Sequence, residues 1–204
     1  MKIPNQQKVW DNIAEEWSKY RKDPQEKTLN FLKKQKGKVL DLGCGSGRNL
    51  TKIKNGKMWL VDFSKEMIKQ AKENAKKKKI SAEFKVANTT TLPFKDNFFD
   101  SAIFINTLHC IETKQAREKS LKELFRVLKP KSQALISVWS KNQERIKNKP
   151  KECYIPWTTP KGKVQRYTYI FEKEELENLL KKVGFKILDS KEDKNIIAIV
   201  QKPQ

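Results

Sequence analysis

The chain has 204 residues, with 45 Lys and Arg against 24 Asp and Glu, a formal charge of +21 at pH 7. That length suits one domain, and 37% hydrophobic residues, among them 10 Phe and 5 Trp, suffice for a core. No apolar run approaches the ~20 residues of a membrane helix, Met1-Lys2-Ile3-Pro4 has no apolar leader, and three scattered cysteines with a lone histidine, His109, argue against a disulfide framework or a closed metal site.

Asn5 to Tyr20 reads as a helix, with Val9, Ile13 and Trp17 spaced by four. Pro24 opens a second helix carrying Leu29, Phe31 and Leu32, and Gly37 ends it, so residues 1–36 form a helical cap. Lys38 to Leu42 is a short buried strand running into a glycine cluster. Arg48 to Asn55 follows as a short helix, and Met58 to Asp62 as the second strand. Ser64 caps a helix through Lys78, with Ile68, Ala71 and Ala75 on one face. Glu83 to Ala87 and Ser101 to Ile105 are strands three and four. Leu121, Leu124, Phe125 and Leu128 mark a helix before Pro130, and Gln133 to Trp139 a fifth strand. Ser140 to Tyr169 is polar and irregular, with Pro150, Pro156 and Pro160. It follows a strand's carboxyl end, so 140–170 is expected to be a substrate-loop insertion. Leu176, Leu179, Leu180 and Val183 form the last helical stripe, closed by Gly184. Lys186 to Leu188 and Ile196 to Val200 pair as a C-terminal antiparallel hairpin. Alternating β and α elements predict a single doubly wound α/β domain over 1–204, with a mostly parallel sheet. Ligands in such sheets bind beyond the carboxyl ends of the strands.

Asp41-Leu42-Gly43-Cys44-Gly45-Ser46-Gly47 has glycines at alternate positions after a strand, which lets a ligand approach the backbone. The spacing departs from the dinucleotide fingerprint, and no lysine occupies the P-loop position. Asp62 ends the next strand, about 20 residues on, where a carboxylate can grip ribose hydroxyls. A helix-capping role is the plain alternative, and Ser64 suits that role better. Asn88 ends the third strand, where it could pair with an adenine amino group or serve the turn.

Together with Leu92-Pro-Phe-Lys-Asp-Asn-Phe-Phe-Asp100, these motifs resemble class I S-adenosylmethionine-dependent methyltransferases over nearly the whole chain. The resemblance implies a Rossmann-like methyltransferase fold of seven strands. It implies S-adenosylmethionine as cofactor, bound by Asp41, Gly43, Gly45, Gly47, Arg48, Asp62, Phe63, Asn88, Thr89 and Asn106. Many members carry Asp where Asn88 stands. A narrower set of segments is similar to the tRNA methyltransferases that esterify 5-carboxymethyluridine at the wobble position. It comprises Trp10-Asp11, Ile13-Ala14, Arg21, Leu108-His109, Val138-Trp139-Ser140, Gln143-Glu144, Ile155-Pro156-Trp157 and Arg166-Tyr167 leading to Phe171. Two departures stand out. His109-Cys110 replaces that family's His-His, and Pro130-Lys131-Ser132 replaces its Pro-Gly-Gly turn.

The chemistry is consistent with these residues. A carboxylate acceptor, with a pKa near ~4, is ionised at neutral pH and needs no general base. It needs positioning and desolvation. Arg21 and Arg166 suit a planar carboxylate or phosphate, although Arg21 or Arg48 could instead hold the cofactor's own carboxylate. Trp139, Trp157 and Tyr167 could stack an extruded base, with Trp139 equally suited to a core. The catalytic set expected is therefore Arg21, His109, Trp139, Arg166 and Tyr167, with His109 also open to a structural role and no metal ligands. The cationic excess is spread along the chain, which fits a basic folded face and a polyanionic partner. The resemblance implies the tRNA anticodon loop, a cytoplasmic compartment that the cysteine usage also fits, and a small zinc-binding activator protein. The activator could add to an exposed edge strand at 83–87. A small-molecule methyltransferase and a non-catalytic RNA-binding module of the same fold are the rival expectations.

Overall fold

The computed structural model describes residues 4–160 and 162–204; Met1–Ile3, on which the expectation about a leader falls, and Lys161 lie outside the described residues. Among the described residues, seven strands form one sheet, and two more form a separate hairpin. Strands β1 (Lys36–Leu42), β2 (Lys54–Asp62), β3 (Ala82–Val86), β4 (Phe99–Ile105) and β5 (Leu128–Trp139) are mutually parallel. Strand β9 (Asn195–Gln201) pairs antiparallel with β5, and β8 (Lys186–Glu192) pairs antiparallel with β9, in the order β3-β2-β1-β4-β5-β9-β8. The expected doubly wound sheet with its C-terminal hairpin is thus the observed one.

Burial on both faces explains the short apolar strands. One face packs Phe104 and Ile136 against Leu121 and Leu124 of helix α4 (Lys114–Val127) and Leu176 and Leu180 of helix α5 (Lys173–Val183). The other packs Val39 and Ile103 against Phe31 and Leu32 of helix α2 (Glu26–Leu32) and Ile68 and Ala71 of helix α3 (Lys65–Lys78). Helix α1 (Gln6–Tyr20) lies outside these layers. Its Ile13 and Ala14 meet Met67 of α3, and its Asp11 carboxylate accepts from the Ser64 hydroxyl at 2.6 Å. The Ser64 Oγ in turn accepts from the Met67 amide at 3.0 Å, the capping bond expected of it.

Four local expectations fail. Arg48 to Asn55 is no helix: β2 begins at Lys54, paired with Lys36, leaving a run too short for one. Its Leu50 and Ile53 still bury. Helix α2 starts at Glu26 rather than at Pro24 and ends at Leu32, while Gly37, with φ 70°, belongs to β1. Strand β5 starts before Pro130, and Lys131 takes φ 66° where the related Pro-Gly-Gly turn has glycine. The 140–170 insertion is regular in its second half, a hairpin of β6 (Glu152–Thr159) and β7 (Gly162–Tyr169). Pro156 is tolerated there because β6 has β7 on one side only.

The hairpin is stapled to the body by Arg117 of α4. Its Nη1 donates to the carbonyls of Ile111 (2.8 Å) and Glu112 (3.3 Å) and to the Tyr167 hydroxyl (3.2 Å). The guanidinium also lies 3.8 Å over the Tyr169 ring. No helix among the described residues is long and apolar enough to cross a membrane.

Candidate active site

A cavity of about 590 Å³ opens beyond the carboxyl ends of β1 and β4, where chain direction around the sheet reverses. Its floor is the glycine turn. The three glycines all have positive φ, but for different purposes. A Cβ on Gly43 would stand 2.2 Å from the Thr107 methyl, and one on Gly47 would stand 2.9 Å from Leu50. Those two positions are set by the protein's own packing. A Cβ on Gly45 would meet nothing closer than the Trp17 Nε1 at 3.5 Å, and it would point into the space a ligand would fill. Asn74 of α3 steadies the turn by donating to the Ser46 carbonyl at 2.8 Å.

Two carboxylates support this floor. Asp62 accepts the amide protons of Gly45 (2.9 Å) and Ser64 (3.0 Å). Burial outweighs these donors and raises it to about 6. Asp41 is fully buried below the turn. Its Oδ2 faces the Asn49 amide at 3.4 Å, its Oδ1 has no partner, and burial raises it to about 7. Gly43, Gly45, Arg48, Asp62, Phe63 and Asn88 all line the cavity, whereas Asp41 and Gly47 do not. Asn88 uses its Oδ1 to accept from the Thr90 amide at 3.0 Å. Thr89 reaches the rim, but its hydroxyl is 2.7 Å from that of Ser120, turned to α4. Asn106, at φ 52°, accepts the Ser137 hydroxyl proton at 2.8 Å.

Part of the lining is cationic. Arg21, Arg48, Arg145 and Arg166 all line the cavity, and none makes an ion pair among the described residues. Arg166 is the extreme case. It is 4% exposed, its Nε lacks a hydrogen-bond partner, and its guanidinium lies 5.8, 5.4 and 5.0 Å over the rings of Trp10, Trp17 and Trp157. Burial, with repulsion from Arg145 and Arg21, lowers it to about 10. His109 is 1% exposed. Its Nδ1 accepts the Trp139 amide proton at 3.4 Å, which leaves the ring proton on Nε2. Burial, with Arg166 and Arg145, drops it to about 3, so the ring is neutral: a donor, not a base.

Two expected stacking residues are differently employed. Trp139 reaches the cavity but packs with Ile146, Ile155 and Ile170, stacks on His109 at 4.8 Å, and carries the Arg145 guanidinium 4.0 Å over its ring. Tyr167 does not line the cavity; it is buried in the core and binds Arg117. Sequence reasoning did not find Arg145 or the cage of Trp10 and Trp17. Trp10 and Trp17 come from α1 and Trp157, the third ring around Arg166, from β6, and nothing local in either segment signals their meeting.

A methyltransferase domain family model matches residues 33–189. The chain belongs to that family. It is 36% identical over 146 residues to a Xenopus tropicalis protein named tRNA (carboxymethyluridine(34)-5-O)-methyltransferase alkbh8. The match covers 71% of this chain and 22% of that one. The chain spans about a third or less of the length of its tRNA methyltransferase relatives. Among solved structures, it resembles an S-adenosylmethionine-dependent methyltransferase from Methanosarcina mazei, with TM-score 0.70 and 26% identity, covering 89% of this chain and 99% of that one. A complex between the Haloferax volcanii Trm112 methyltransferase activator and a putative methyltransferase shares the fold, with TM-score 0.69 and 15% identity, covering 100% of each chain.

S-adenosylmethionine is the cofactor of this family member, and the cavity fits it. The bare Gly45 floor admits a ligand to the backbone, and Asp62 and Asn88 lie along one side. When bound, the group supplies an electrophilic methyl on a sulfonium.

Proposed function

We propose that this methyltransferase acts on tRNA, esterifying the carboxylate of 5-carboxymethyluridine at the wobble position in the cytoplasm. The observation that carries the reading is the unpaired cationic lining, above all Arg166. A guanidinium that is buried without a carboxylate is unfavourable in the free protein and is satisfied when an anion enters. One cation of the lining suffices for the cofactor's carboxylate, and Arg21 or Arg48, nearest the glycine turn in sequence, suits that role. Arg166 then holds the acceptor carboxylate, and Arg145 and Arg21 add positive potential. Neutral His109 can donate from Nε2 but cannot take a proton near neutral pH, which suits an acceptor that arrives ionised. Asp62 and Asn88 are assigned to the ribose and the adenine, with the floor of Gly43 and Gly45 under the methionine part. The +21 charge and the frog relative's name support RNA as the carrier of the acceptor.

The same reading includes an activator partner at β3. That strand has β2 on one side only, and Val86 at its end is 47% exposed. The pair Lys57–Glu83, at 2.8 Å, blunts one end of the edge and leaves the rest open to an added strand. Co-expression with a small zinc-binding activator should raise solubility and activity; full activity from the isolated monomer would remove the partner. For the reaction itself, mass spectrometry of wobble nucleosides from cells lacking the protein should show free carboxymethyluridine in place of its ester. An unchanged ester would overturn the assignment.

A further inference from the structure

A ladder of aromatic rings leaves the cavity and ends in solvent. Trp10 and Trp17 line the cavity and meet edge-on at 5.1 Å. Trp17 lies 5.2 Å from Trp157, and Trp157 lies 6.2 Å from Tyr20 at an interplanar angle of 72°. Tyr20 is 75% exposed, more than any other large hydrophobic side chain described. It ends α1, immediately before Arg21, whose guanidinium lies 5.3 Å over Trp17. Core packing accounts for Ile13 and Ala14 on this helix, and cavity lining for Trp10 and Trp17. It does not account for Tyr20, whose ring gains little burial and makes no stacked contact. Of the three stacking residues expected from sequence, Trp139, Trp157 and Tyr167, only Trp157 belongs to the ladder.

We propose that Tyr20 and Trp157 form a stacking rim for the planar ring of the acceptor, a nucleobase from a single-stranded RNA loop, whose anionic arm enters toward Arg166. The inference rests on the carboxylate reading above and names the surface that grips the base. Trp157 touches both Tyr20 and the Arg166 guanidinium, so a base on the rim has its substituent on the cationic side. The complementarity is double: an uncommitted aromatic surface meets the base, and unpaired guanidiniums meet the anion. Stacking of this kind tolerates any base, and the arm supplies the selectivity.

The test uses the full chain and an RNA hairpin carrying 2-aminopurine in its loop, a base whose fluorescence falls on stacking. The wild type and Tyr20→Phe should quench it. Tyr20→Ala should quench far less and bind the hairpin more weakly, about tenfold, with unchanged S-adenosylmethionine affinity by calorimetry. Because Tyr20 is exposed, the alanine variant should fold, and circular dichroism checks this. Equal quenching and affinity in Tyr20→Ala, or no binding of the hairpin by the wild type, would overturn the rim. Methyl transfer to a carboxymethyluridine hairpin is read in parallel. Its failure with Tyr20-dependent quenching intact would sink the substrate assignment and leave the rim standing.

Discussion

The Asp62 carboxylate accepts the amide proton of Gly45 at 2.9 Å, so the acid expected at the ribose also holds the one glycine of the turn where a Cβ would meet no atom closer than 3.5 Å. Floor and wall of the cofactor site are thereby one unit. Gly45→Val, with a branched side chain at φ 53°, should abolish S-adenosylmethionine binding, with a cost in backbone strain but no collision of the kind at Gly43. Gly43→Val should lower the melting temperature sharply through its collision with Thr107. Calorimetry and thermal melts separate the two; undiminished affinity in Gly45→Val would move the site elsewhere.

Protonation of Asp62 removes the acceptor that ribose hydroxyls need. Its raised value, about 6, predicts that cofactor affinity is flat above pH 7 and declines as pH falls through 6. Asp62→Asn should bind weakly at every pH, losing on the order of 1–3 kcal/mol. A wild-type affinity unchanged down to pH 5 would contradict the role.

Asp41 makes a stability prediction. Its folded value, about 7, exceeds the ordinary 3.8, so between these pH values the folded state binds more protons than the unfolded one. Stability from this group is full below about 4 and is lost as pH rises toward 7. Asp41→Asn should remove that slope and be the more stable protein at pH 8. Parallel melting curves for both proteins across this range would refute it.

Arg166 should trade stability for function. Arg166→Met removes an unpaired buried cation and should raise stability by on the order of 1 kcal/mol, while turnover collapses. Arg166→Ala should cut turnover with little change in tRNA affinity. Arg166→Lys should rescue poorly, because an ammonium lacks the planar fork. Normal turnover in both Arg166→Ala and Arg21→Ala would put the acceptor pocket elsewhere.

Binding of tRNA should weaken steeply with added salt, in proportion to the phosphates neutralised. Lys→Glu changes on the basic face should weaken all tRNAs alike. Affinity that is the same at low and physiological ionic strength would count against an RNA substrate.

Much of the fold was legible because its signals are local. Ser64 with Ile68, Ala71 and Ala75 gave α3 its observed limits, and the αL position of Gly184 gave the end of α5. The insertion looks irregular in sequence because its prolines mask the strand character of Tyr154, Ile155 and Trp157, which needs β7 beside it. Within the site, the glycine turn and Asp62 were legible as a motif. What Trp139 and Tyr167 do was not, since core packing and an Arg117 bond decide it. Arg145 carries no motif; its relation to Trp139 exists only after folding.

The Arg117 staple bears on how such a protein could be re-engineered. The hairpin of β6 and β7 invites exchange, because it is a separate two-stranded unit. Yet Arg117 belongs to α4, is 4% exposed, and relies on Tyr167 and Tyr169 of that hairpin. A transplanted hairpin lacking both tyrosines would leave Arg117 only the Ile111 and Glu112 carbonyls of the scaffold and, where Glu152 is kept, an ion pair at 3.9 Å. Chimeras that retarget the enzyme should therefore carry the pair across with the graft, or replace Arg117 with an apolar residue in the recipient.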